Sequence, residues 1–133
     1  LPLIACYSGQ LNQVFMNAIA NAIDALDEFS QDRSFSEIEA RPNIIRITTE
    51  IQGNYAAIRI ADNGLGMSEE SKKQIFEAFY TTKPVGKGTG LGLSISYQIV
   101  TEKHGGKLTC VSAPGQGTEF IIEIPVRLDK SRI

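Results

Sequence analysis

At 133 residues the chain has the size of one domain with its own core, and 42% hydrophobic residues exclude a disordered polymer. A net charge of −2 and a pI near 5.4 lack the basic surplus of a primary nucleic-acid binder. No apolar run reaches the roughly 18 residues of a membrane span, so neither nucleic acid nor membrane is expected to contact this domain.

The chain starts at Leu1 rather than Met and shows no signal peptide. The expectation is a piece of a longer protein, working in the cytoplasm, whose parent could still enter a membrane elsewhere. Cys6 and Cys110 lie far apart in apolar stretches without metal-ligand spacing, and read as buried, reduced thiols.

Residues 1–6 are apolar and read as a short strand, and Ser8 is placed to cap the helix that follows. From residue 10 to about residue 29, Leu11, Val14, Phe15, Ala18, Ile19, Ala22, Leu26 and Phe29 share one helical arc. Asn17, Asn21, Asp24 and Glu28 run along its edge. Such a stripe either looks into a pocket beside the core or is a solvated flank; Glu28 reads as flank. Asn17 and Asn21, one turn apart and mediocre helix formers, suit a pocket. Residues 27–42 read as a long irregular connection without recognisable chemistry.

Ile45, Ile47, Thr49 and Ile51 alternate along a strand. Gln52-Gly53-Asn54 turns the chain, and residues 55–62 return as its antiparallel partner. Ile58, Ile60 and Asp62 point one way, so Asp62 extends a core-facing row. A carboxylate there calls for a partner, either a ligand donor or the turn through Asn63-Gly64. Ser68 is placed to cap a helix with Glu69 and Glu70 in its first turn. The aromatic run Ile75-Phe76-Glu77-Ala78-Phe79-Tyr80 reads as core, and Thr81-Thr82-Lys83-Pro84 leads into Gly86-Lys87-Gly88-Thr89-Gly90-Leu91-Gly92-Leu93.

That glycine loop opens an apolar helix over residues 91–103. It suits either a phosphate cradle at a helix start or a flexible linker. The P-loop pattern fails because Gly88 follows Lys87. The dinucleotide pattern fails because Leu91 or Leu93 stands where its third Gly belongs. His104, the only histidine, reads as a surface residue at the helix end, with Gly105 as the left-handed cap. Two strands, residues 107–112 and 118–126, flank Pro114-Gly115-Gln116-Gly117. Thr118 begins the core-facing row Thr118, Phe120, Ile122, Ile124. The outline is an α+β, two-layer sandwich: a mixed, largely antiparallel sheet covered on one face by helices. Residues 1–128 form the domain and 129–133 a frayed tail.

Five segments in order carry a family likeness. Gln13-Val14-Phe15-Met16-Asn17-Ala18-Ile19-Ala20-Asn21-Ala22 is similar to an asparagine box. Asp62-Asn63-Gly64-Leu65-Gly66 is similar to a first glycine box and Phe76-Glu77-Ala78-Phe79 to a phenylalanine box. Gly88 to Leu93 is similar to a second glycine box, and Gly115-Gln116-Gly117-Thr118-Glu119-Phe120 to the signature of the last strand. The chain thus resembles, over nearly its whole length, the catalytic ATP-binding domain of sensor histidine kinases. That superfamily is shared with gyrase, mismatch-repair ATPases and the large heat-shock chaperone.

The resemblance implies a Bergerat-type fold that binds ATP and Mg²⁺. Asp62 would accept from the adenine amino group, with Thr118 assisting through water. Gly64 and Gly66 would let the backbone approach the base, and Met67 would line it. Asn21 would ligate Mg²⁺ and Asn17 would face the phosphates. Gly88, Thr89, Gly90, Leu91 and Gly92 would surround the phosphates, with N–H groups offered by Gly88, Gly90, Leu91 and Gly92; Lys83 would add positive charge. Residues 68–90 would form a lid. The γ-phosphate would pass to a histidine on an upstream dimerisation hairpin, and onward to a response regulator; no catalytic residue is assigned within this chain. ATP hydrolysis, or a non-catalytic nucleotide-binding module, are the competing readings. Two positions depart from the family's pattern. Asn17 stands where hydrolysing branches carry Glu, and Asp24 stands where many kinases carry Lys. His104 is on the wrong helix end to be the acceptor.

Overall fold

The computed structural model describes residue 1, residues 3–76 and residues 92–126. Helix α1, Ser8–Ser30, follows from its apolar spacing: Leu11, Val14, Ala18, Ala22 and Leu26 are its buried residues. Ser8 is not its cap. Tyr7 occupies that position with no capping side chain, and Ser8 is the first helical residue. The described residues among the first six, 1 and 3–6, form no strand either.

The stretch from 27 to 42 is more ordered than its polarity suggests. Helix α1 continues to Ser30, and a second helix, α2, spans Phe35–Ala40. Ser34 and Glu37 close a capping box on it, each side chain receiving the other's backbone N–H. Arg33 binds the segment together. Its guanidinium donates to Glu37 O at 2.9 Å, to Asn43 Oδ1 at 3.2 Å and to Arg41 O, and lies over the Phe29 ring.

Strands β1 (Ile45–Gln52), β2 (Tyr55–Asp62), β3 (Lys107–Ser112) and β4 (Thr118–Pro125) form one sheet in the order β1-β2-β4-β3. The fold class is the expected α+β sandwich, but the strand pairs described are all antiparallel rather than mixed. The register places Ile47, Ile60, Phe120 and Cys110 in one row and Thr49, Ile58, Ile122 and Leu108 in the next. This face packs against α1, burying Ile58, Ile60, Phe120, Ile122 and Ile124 with Leu11, Val14 and Ala18. The opposite face carries Arg59, which bridges Glu50 at 3.3 Å and Glu119 at 3.2 Å. Ion pairs as open as these contribute little stability.

Helix α3, Glu69–Gln74, is capped by Ser68 as its sequence suggests. Helix α4, Gly92–Gln98, runs into a π-helical turn, Ile99–Lys103. Gly105, at φ 66°, ends it. His104 is not a surface residue: it is 6% exposed. Its Nδ1–H donates to Ile99 O at 2.9 Å and its Nε2 accepts the Tyr7 N–H at 3.0 Å, which anchors the start of α1. The cysteines are free, but Cys6 is exposed rather than buried. Among the described residues no helix is long and apolar enough to cross a membrane.

Candidate functional site

The core face of the sheet changes character at its last row. Asp62 pairs with Thr118, and Thr118 with Ser112, so three polar side chains stand abreast where the rows behind them on β2 and β4 are aliphatic and aromatic. The row is internally satisfied. Ser112 and Thr118 share a hydroxyl hydrogen bond of 2.9 Å. Ser112 Oγ also bonds Gly117 O at 2.9 Å and accepts the Met67 N–H at 2.8 Å. Ser112 thus anchors the segment after β2 to β3. It was missed as a site residue, although the alternation Leu108, Cys110, Ser112 carries the signal.

Asp62 Oδ1 accepts the Gly64 N–H at 2.8 Å. Burial lifts the carboxyl above the ordinary carboxylate range, and hydrogen bonds from the Gly64 and Thr118 backbone draw it partly back. Two glycines make the close packing possible. A Cβ on Gly66, at φ 73°, would lie 2.0 Å from Ala113 O, and one on Gly117, at φ 75°, would lie 2.1 Å from Asp62 O. Only glycine fits there, so Gly66 and Gly117 let three backbone segments meet beside Asp62.

A cavity of about 270 Å³ opens over this row. Asp62, Thr118 and Phe120 form part of its lining on the sheet side, Leu65, Gly66, Met67 and Ser68 follow β2, and Ile75 closes one end. Helix α1 contributes Asn21, Asp24 and Glu28 to the lining, and Glu28 is exposed, as a solvated flank would be. Asn21 Nδ2 donates to Asn17 O at 2.9 Å, which leaves its Oδ1 as the end offered to a ligand. Asn17 turns toward α4: its Nδ2 donates to Gly92 O at 3.1 Å and to Ser96 Oγ at 3.0 Å. Asn17 therefore meets Gly92 at the start of α4, with Asn21 one turn further along α1.

Cys110, two residues from Ser112 on β3, is pushed up to about 11 by burial and is a protonated thiol at neutral pH. Lys83, Gly88, Thr89, Gly90 and Leu91 lie outside the described residues, as do Phe79 and the rest of 77–90 in the stretch expected to form a lid. Among the described residues no group of three or more His, Cys, Asp or Glu could hold a metal ion by itself. An oxygen donor such as Asn21 Oδ1 suits an ion that keeps its waters and draws other ligands from a phosphate. Apolar walls over a half-buried carboxylate suit a flat ring bearing a hydrogen-bond donor.

The sequence model of the family described as "Histidine kinase-, DNA gyrase B-, and HSP90-like ATPase" matches residues 7–128. Sporulation kinase E of Bacillus subtilis (strain 168) is 38% identical over 127 residues, covering 96% of this chain and 15% of that protein. Sensor kinase CckA of Brucella abortus (strain 2308) is 38% identical over 128 residues, covering 93% of this chain and 13% of that protein. The chain therefore spans a small part of the length of these relatives. Among solved structures, the nucleotide-free catalytic domain of histidine kinase ThkA is similar with a TM-score of 0.72 at 32% identity, covering 92% of this chain and 70% of that one. Full-length ShkA in complex with AMPPNP gives 0.76 at 28% identity, covering 97% of this chain and 24% of that one.

Proposed function

The chain belongs to the histidine kinase-, DNA gyrase B- and HSP90-like ATPase family, and on that premise we propose that it is the catalytic domain of a sensor histidine kinase, binding Mg²⁺-ATP for transfer of the γ-phosphate to a histidine outside this chain. The observation that carries the reading is the Asp62–Thr118 row under the cavity. Asp62 accepts backbone hydrogen bonds from Gly64 and Thr118, and a carboxylate's roughly four lone-pair sites leave acceptor capacity for the adenine amino group. Leu65, Met67, Ile75 and Phe120 supply the apolar walls for the ring. The similarity to ShkA, solved with AMPPNP, supports the nucleotide.

Asn21 would hold Mg²⁺ through Oδ1, where the ion neutralises charge on the transferring phosphates. Asn17, through Gly92 and Ser96, fixes the start of α4 beside it. Gly92 and, outside the described residues, Lys83, Gly88, Thr89, Gly90 and Leu91 would surround the phosphates. Phosphoryl transfer asks a protein mainly for positioning and charge neutralisation, and these residues do both. Hydrolysis is the weaker reading, because Asn17 offers an amide, already donating to α4, where a general base would be needed.

The partners that follow are a dimerisation hairpin bearing the acceptor histidine in the same parent protein, and a response regulator beyond it. The place of work is the cytoplasm. The test is to mix the chain with such hairpins and [γ-³²P]ATP. Label on the hairpin's histidine, lost when that histidine is replaced, is the expected result. ATP binding without transfer to any cognate hairpin refutes the kinase reading.

A further inference from the structure

The polar row that ends the sheet has its hydroxyl hydrogens fixed by elimination. Ser112 Oγ carries one hydrogen, and the Gly117 carbonyl, 2.9 Å away, can only accept, so the hydrogen goes there. The oxygen's two lone pairs then receive the Met67 N–H at 2.8 Å and the Thr118 hydroxyl at 2.9 Å. The Thr118 O–H is thus spent on Ser112. The backbone N–H groups of Gly64 and Thr118 are spent on the Asp62 carboxyl group. Asp62 and Thr118 line the cavity, whereas Ser112, on the far side of Thr118 from Asp62, is not among its described lining residues. The Asp62 carboxylate and the Thr118 hydroxyl therefore offer a ligand in the cavity acceptors and no donor.

Taking the cavity as the nucleotide site proposed above, we propose that Ser112 is a positioning residue for base specificity: by holding the Thr118 hydroxyl as an acceptor, it makes this edge of the cavity take a purine with an amino group and refuse one with an oxo group. An amino group brings N–H donors to the row. An oxo oxygen in the same place gives up its hydration and meets only acceptors. A Thr118 hydroxyl free to rotate would supply the missing donor. The refusal thus depends on a side chain that stands behind the one facing the base.

The test measures the affinities of ADP and inosine diphosphate by calorimetry in excess Mg²⁺, for the parent chain, Ser112→Ala and Ser112→Thr. The two ligands share their ribose and phosphates, and the inosine ring carries an oxo group where adenine carries its amino group. The quantity read is the ratio of the two dissociation constants. The parent should prefer ADP. Ser112→Ala should narrow that preference by about three- to tenfold, the worth of one net hydrogen bond. Ser112→Thr keeps the hydroxyl and should keep the parent's ratio. A role confined to anchoring the Met67 segment would weaken both ligands alike in Ser112→Ala. An unchanged ratio there overturns the proposal, as does a Ser112→Thr that behaves like the alanine variant. Ser112→Cys, nearly isosteric and with a weakly accepting sulfur, gives the same reading if Ser112→Ala does not fold. A parent chain that binds ADP without preferring it to inosine diphosphate also overturns the proposal. If the parent binds neither ligand, the nucleotide reading itself has failed, and this inference fails with it.

Discussion

The binding role proposed for Asp62 comes at a cost to the fold. Burial raises its pKa above the ordinary 3.8, so the folded chain holds this proton at a higher pH than the unfolded chain does. The stabilising effect is complete below the unfolded value and is lost as pH rises through the folded one. Asp62→Asn, uncharged throughout, escapes that loss. It should unfold at a temperature equal to or above the parent's at neutral pH and show no such gain in acid. Nucleotide binding should meanwhile weaken by about 1.5–3 kcal/mol, the worth of a hydrogen bond to a charged group, as read by calorimetry. Unchanged affinity would remove Asp62 from the site. Neighbouring Gly117 makes a sharper steric case. Gly115→Ala places a Cβ at φ 77° with nothing near it and should cost about 1–2 kcal/mol. Gly117→Ala adds contact with Asp62 O at 2.1 Å, and should exceed Gly115→Ala by about 1–3 kcal/mol in urea unfolding.

Among elements, α1 carries both the core and one wall of the cavity, and the amide of Asn17 hydrogen-bonds it to α4 at Gly92 and Ser96. Asn17→Ala removes two hydrogen bonds and strips a partner from Ser96, which is 1% exposed. A loss of about 1–3 kcal/mol is expected. Amide exchange should quicken in residues 92–96 more than in the sheet, and uniform quickening would deny Asn17 its local role. Much of this was legible in the sequence. Period-two alternation located Asp62 and Thr118 at the ends of core-facing rows, and period 3.6 separated the asparagine stripe from the apolar arc. What could not be read was the identity of each amide's partner. Asn17 and Ser96 are 79 residues apart, and nothing local to either announces the other. His104 misled for the same reason: the Tyr7 N–H that it accepts lies 97 residues away. Residues 1–6 have the composition of a strand, but those of them that are described join no ladder, and strand propensity is largely a matter of such neighbours. The helix hidden in 27–42 was legible after all, since Ser34 and Glu37 stand three apart in the manner of a capping box.

For the whole molecule, the order β1-β2-β4-β3 puts the last of the described strands inside the sheet, between two strands made before it. Its register is held at both ends: Val126 N–H meets Asn54 O at 2.7 Å, and Gly117 lies on the Asp62 carbonyl. A ribosome emitting this chain releases Asn21 and Asp62 long before Thr118. Until β4 slots between its neighbours there is no polar row, no floor to the cavity and no continuous core. The candidate site is therefore assembled only once β4 has been made, and a product that stops before Thr118 lacks the row on which the proposed base reading depends.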